Sequence, residues 1–489
     1  MAQRQLHSES HSDKNIIREG KASPVFILRR IRKRIKGIFA VLAALTMAFS
    51  VGRNNEPNEP SSETTKGLIL STTKSETTVV TESGSQKSEN QNETYIILAD
   101  DMTTINGRGA SFSDGVVTVS KSGIYSFKGE LNDGCIVVSL KDDGEARLNF
   151  YGVNISSSKG AAVSVLKAPE GAELHFGKGT YNTLADTDER ALSFREADGD
   201  SAVVFSKDDI VLTGEGTLSV KADFNKGVFS EKDVTLKNAQ VSIVSFDDGI
   251  RSLDNVRFEN SELLIVSGGD GIHADDKNGD AKGKLLSHGS KITVFGDMDG
   301  IDCSGDIFVF DSELDITVGD GSKGRNHHGN HDSIFDDNNI SDKNKNDIFA
   351  SGRATADSST LERFMEKNIS LSGIAGDSEG VFSDTIIKIN SAQHGISCES
   401  IETEDGFCSL KCDGNGLFAK EDISVDGTDV NIMAYGNGIE GEEISLLDGK
   451  IFISAMGEAV VSSEGEDGIE IDSAFVQTER IGIDKSIVP

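Results

Sequence analysis

Tryptophan is absent from this 489-residue chain, and proline is down to 5 residues, at Pro24, Pro57, Pro60, Pro169 and Pro489. Glycine, by contrast, numbers 52. Gly-rich sequence without Pro excludes collagen and argues against disorder throughout. Beyond the N-terminal region no stretch reaches about 18 clean apolar residues, which excludes a polytopic membrane protein. Positive charge is also short: 48 Lys+Arg stand against 81 Asp+Glu, a net of −33. Phosphate backbones need a basic surface, so no nucleic-acid partner is expected. An acidic surface suits a hard cation. The five cysteines, Cys135, Cys303, Cys398, Cys408 and Cys412, are an odd number and have no zinc-site spacing.

The N-terminus reads differently. Residues 1–36 carry 10 Lys+Arg and 3 Asp+Glu, ending in the run Arg29-Arg30-Ile31-Arg32-Lys33-Arg34-Ile35-Lys36. An apolar stretch from Gly37 to Gly52 follows, with small residues around Ala48-Phe49-Ser50. Charged then apolar is the order of an export signal, so 1–52 is assigned as a signal or signal-anchor. A membrane is expected as partner only through this segment, if it is left uncleaved. Residues 53–93 hold 14 Ser+Thr and read as a disordered linker.

A repeat governs the rest. The phrase glycine, branched apolar, variable, small recurs as Gly227-Val228-Phe229-Ser230, Gly249-Ile250-Arg251-Ser252, Gly271-Ile272-His273-Ala274 and Gly300-Ile301-Asp302-Cys303. It returns as Gly380-Val381-Phe382-Ser383, Gly395-Ile396-Ser397-Cys398, Gly416-Leu417-Phe418-Ala419 and Gly438-Ile439-Glu440-Gly441. The steps are 22, 22, 29, 80, 15, 21 and 22 residues, a solenoid period. Within a period the alternation is two-residue, as in Val256/Phe258 and Leu263/Ile265, which argues strand. Three short strands and three turns in about 22 residues describe one coil of a parallel β-helix. The glycine is expected to supply a corner with positive φ. The small fourth residue is expected to point inward, which makes Cys303 and Cys398 packing residues. The helix is assigned to 94–318 and 368–489, with a cap near 94–112. Residues 319–367, with Asn326-His327-His328-Gly329-Asn330-His331-Asp332, are polar and read as a disordered insert in one oversized step.

The run from Thr103 to Val318 resembles a bacterial family of exported carbohydrate-binding domain-containing proteins. The phrases that carry the resemblance include Gly109-Ala110-Ser111-Phe112, Leu131-Asn132-Asp133-Gly134, Ala202-Val203-Val204-Phe205-Ser206-Lys207-Asp208-Asp209, Asp247-Asp248-Gly249-Ile250-Arg251-Ser252 and Gly269-Asp270-Gly271-Ile272. The resemblance implies a right-handed parallel β-helix shaped like the polysaccharide-lyase helices. It also implies display outside the cell or on its surface, calcium sites, and binding of acidic plant-wall polysaccharide.

Asp248, Asp270 and Asp299 fall just before the glycine in three successive coils. Stacked coils bring their carboxylates to roughly 5 Å, where like charges destabilise one another. A bound cation relieves this, and oxygen-only ligands favour Ca2+. Asp247, Asp297 and Asp302 lie beside the ladder and are assigned to its shell; Asp275 and Asp276 are second choices. Arg251, His273 and Lys277 are candidate sugar contacts, or salt-bridge partners for these acids. Lys207, Lys232 and Lys420 form a further candidate column. With no Trp and 5 Tyr, a sugar-stacking platform is poorly supplied. An acidic surface should also repel polygalacturonate-like chains, and calcium bridging between protein and sugar carboxylates is the expected way to hold them; cellulose is the other expected ligand. No catalytic residue is singled out. A polysaccharide lyase using Lys277 or Arg251 as base, and a structural adhesin, stand as alternatives.

Overall fold

The computed structural model describes residues 93–187, 202–276, 279, 282–318 and 372–480. The export segment, nearly all of the linker, the insert 319–367 and Lys277 lie outside the described residues.

Within them the chain is a parallel β-helix. One coil runs through the strands Ile250–Ser252, Val256–Glu259 and Glu262–Ser267. The next repeats this as Ile272–Ala274, Leu285–His288 and Lys291–Gly296, in parallel register with the first. Antiparallel pairing occurs near the start, where Glu93–Leu98 meets Thr104–Asn106 and Ala110–Ser113 meets Val116–Val119. These pieces cover the first coil, whose strand edge would otherwise invite pairing with other chains.

The core follows from the alternation. Val228, Ile250, Ile272, Ile301, Ile374, Ile396, Leu417 and Ile439 form one fully buried column. Each contributes about 1.5–3 kcal/mol by leaving water. Ser252, Ala274 and Cys303 fill the small inward column beside it. Cys398 lies in that column too, and burial pushes its thiol up to about 12. All five cysteines are free. In the early coils Phe127 meets Phe150 edge to face and Phe150 meets Phe176 at a tilt, with ring centroids 5.5 and 5.9 Å apart.

Two expectations about the phrase need correction. The glycines do not take positive φ: Gly249, Gly271 and Gly416 are outside that group. They are required for space instead. A Cβ on Gly249 would lie 2.5 Å from Cγ2 of Ile265 and 2.6 Å from the Gly271 carbonyl oxygen. Left-handed backbone occurs at another corner, at Asn238, Asn260, Asp311, Asp384 and Asp405 (φ 48, 47, 48, 50 and 55°). Second, the 15-residue step is a register error. Ile301 pairs with Ile374, so the phrase there is Gly373-Ile374-Ala375-Gly376, while Gly380 pairs with Ile307. Gly373 to Gly395 restores a step of 22 residues. The sequence Gly380-Val381-Phe382-Ser383 satisfies the same local pattern, and only coil-to-coil pairing separates the two.

Polar side chains close the corners. Ser261 Oγ accepts the N–H of Ala239, Ser290 Oγ that of Ser261, and Ser312 Oγ that of Ser290, at 3.1–3.2 Å. Turn backbone leaves N–H groups that strands cannot use, and these ladders satisfy them inside the stack.

Candidate metal and carbohydrate site

The corner that precedes the glycine phrase carries the carboxylate ladder. Asp248 Oδ1 accepts the backbone N–H of Asp270 at 3.1 Å, Asp270 Oδ1 that of Asp299 at 2.9 Å, and Asp299 Oδ1 that of Ser372 at 2.7 Å. Gly269 permits the first contact, since a Cβ there would lie 2.6 Å from Asp248 Oδ1. Asp248 and Asp270 are buried, at 4% and 6% exposure. One oxygen of each carboxylate thus serves the backbone, and the second faces the groups outside the coil.

Those groups come from the variable place in the phrase. Register stacks Arg251, His273 and Asp302 on successive coils. His273 Nδ1 lies 2.9 Å from Asp270 Oδ2, and its Nε2 lies 2.9 Å from Asp275 Oδ1 and 3.7 Å from Asp302 Oδ2. Arg251 donates to Asp275 at 2.6 Å and lies 3.5 Å from Asp248. Lys226 pairs with Asp247 at 2.6 Å and lies 3.9 Å from Asp248. Asp297 sits in the adjoining turn, its N–H on the Ser267 carbonyl.

The electrostatics are strained. Burial, then Asp247, push Asp248 up to about 7. Burial, then Asp270 and Asp302, push Asp299 up to about 7. Burial works to lower His273, but its bonds to Asp270 and Asp275 win and raise it to about 10. The His273 bond in turn lowers Asp275 to about 2. His273 is therefore a cation at neutral pH. Among the described residues Asp247, Asp248, Asp270, Asp275, Asp299 and Asp302 gather around Lys226, Arg251 and His273, so negative charge is in excess.

Donor atoms of Asp248, Asp270 and His273 all lie within 4.8 Å of one another. The carboxylates are hard oxygen donors of the kind Ca2+ takes. Asp248 and Asp270 would hold such an ion only in place of the protonated His273, which now pairs with Asp270 Oδ2. Asp275, which sequence reasoning ranked second, proves central, because it bridges His273 and Arg251. The lysine column does not form as expected. Ser206 pairs with Ser230, so Lys207 stands level with Glu231 and Lys232 falls one place on.

A family profile for carbohydrate-binding domain-containing proteins matches residues 113–413. The chain belongs to this family. A carbohydrate-binding domain-containing protein of Acetivibrio thermocellus is 36% identical over 220 residues, which cover 45% of this chain and 77% of that one. The solved polysaccharide lyase-like protein from C. thermocellum, a gadolinium derivative, aligns at 27% identity with a TM-score of 0.44. That alignment covers 47% of this chain and 92% of that one.

Proposed function

We propose that this member of the carbohydrate-binding family is an exported or cell-surface protein that holds acidic, pectin-like polysaccharide through Ca2+ at the Asp248–Asp270–Asp299 ladder. The observation that carries the reading is the excess of buried carboxylate at one corner, with Asp248 and Asp299 both pushed up to about 7. A divalent ion offsets most of that excess and has coordination positions left over, which the carboxylate oxygens of an acidic polymer can fill. Without such a bridge a chain of net charge −33 repels a polyuronate.

The basic N-terminal run and the Ser/Thr-rich sequence after it support placement outside the cell. Elimination with Arg251 as base draws no support, because its guanidinium is clamped by Asp275 and Asp248. The test is retention on immobilised polygalacturonate in Ca2+ and in EGTA, with release of unsaturated uronate assayed alongside. Retention that is equal in the two buffers sinks the calcium mechanism.

A further inference from the structure

The turns between the four-residue and six-residue strands form a second feature running along the helix. In one coil Gln240 opens and Ser245 closes the strand that separates it from the ladder corner. Register carries this line from coil to coil: Tyr181 pairs with Thr217, then Gln240, Glu262, Lys291 and Glu313. Neighbours along it are about 4.8 Å apart.

Two shallow grooves open on this line. One, of about 790 Å3, runs past Gln240, Asn260 and Lys291. The other, of about 440 Å3, lies in the first coils between Asp100, Glu130, Asn132 and Asn154, with Gly129 and Gly152 also lining it. Tyr151 adjoins Gly152. On the next coil Thr183 pairs with Asn154, which brings Tyr181 level with Gly152. The two rings thus come from adjacent coils, and they are 48% and 46% exposed. A Cβ on Gly177, in the coil of Tyr181, would come within 2.6 Å of Tyr151 Cε1. The Tyr151 ring therefore rests over the backbone of the next coil and is held in place.

Half-exposed rings on an outer face do little for the core. They do offer an apolar face with a polar rim, which matches the C–H face and hydroxyl edge of a sugar. Asn154 and Gln240 carry both donors and acceptors for hydroxyls, while the Asn132 amide donates to Asp100 at 2.6 Å. Asp100, Glu130 and Glu262 disfavour a polyuronate, and Lys291 is already paired with Glu313 at 3.3 Å. We propose that this corner binds, without calcium, a neutral glycan chain lying along the helix, with Tyr151 and Tyr181 as stacking rings between the two grooves. The inference rests on the family's carbohydrate binding, and not on calcium.

With no Trp and 5 Tyr in the chain, tyrosine emission includes these two rings, and the alanine variants identify their share of any change. The probes are cellohexaose, xylohexaose and mannohexaose, titrated in EGTA against the full chain and followed by tyrosine fluorescence and calorimetry. At least one should bind. Tyr151→Ala and Tyr181→Ala should each weaken it about tenfold. Tyr151→Phe and Tyr181→Phe should retain it, which separates stacking from loss of fold. Asp270→Asn should leave it unchanged. Binding by none of the three, binding indifferent to both alanine variants, or binding abolished by EGTA overturns the proposal. Loss of Ca2+-dependent polygalacturonate retention alone would sink the ladder reading and leave this one standing.

Discussion

Asn415 is the neutral counterpart of Asp248. Each uses its Oδ1 to accept the backbone N–H one coil on, from Asn437 at 2.9 Å and from Asp270 at 3.1 Å. Asn437 repeats this with Glu458 at 2.9 Å. The hydrogen-bonding task of the column is thus met without charge in the later coils. The carboxylates of the earlier coils must have another reason, because buried charge is costly when not fully paired.

The equivalence predicts how substitutions divide. Asp270→Asn keeps an acceptor for the Asp299 N–H, whereas Asp270→Ala leaves that amide without one. Both lose the Asp270 charge that faces His273. The alanine variant should be less stable than the asparagine variant by about 1–3 kcal/mol, read by urea unfolding in EGTA. Equal stabilities would mean that the ladder bond contributes nothing.

Stability should also depend on pH in a definite direction. Between 3.8 and about 7 the folded protein holds protons on Asp248 and Asp299 that the unfolded chain has released. Stability from these groups therefore falls as pH rises through that window. His273, raised from 6.5 to about 10, acts likewise: its contribution is complete below 6.5 and lost toward 10. In EGTA the melting temperature should drop from pH 5 to pH 8, and Asp248→Asn should drop less. Parallel pH profiles for the two proteins would contradict the assigned burial strain.

Much of this architecture was legible in residues such as Ile250, Ile272 and Ile301, because a β-helix writes each inward column into the sequence at a fixed period. The role of the phrase glycine was not. Whether Gly249 serves φ or space depends on Ile265 and Gly271, which only the stacking brings near. The ladder positions could be read from the phrase, but the His273–Asp275–Arg251 bridge could not, since it joins neighbouring coils through side-chain direction. Gly380 matches the phrase as well as Gly373 does, because a four-residue phrase carries less information than register. The exposed rings of Tyr151 and Tyr181 were hidden by low overall tyrosine content, which says nothing of where the few are placed.

The spatial role of glycine gives a further prediction. Gly249→Ala, with acceptable φ but a Cβ 2.5 Å from Ile265 Cγ2, should cost about 1–3 kcal/mol through overpacking. Calorimetric melting checks this. A variant as stable as the parent would show that the coil has slack at that corner.

The central claim is that calcium on the ladder holds acidic polysaccharide, and the most direct test is a polygalacturonate retention curve against free Ca2+ for the parent and Asp270→Asn. The account predicts retention that rises with Ca2+, vanishes in EGTA and is shifted by about tenfold or more in Asp270→Asn. Retention that is independent of Ca2+ and identical in both proteins would contradict it.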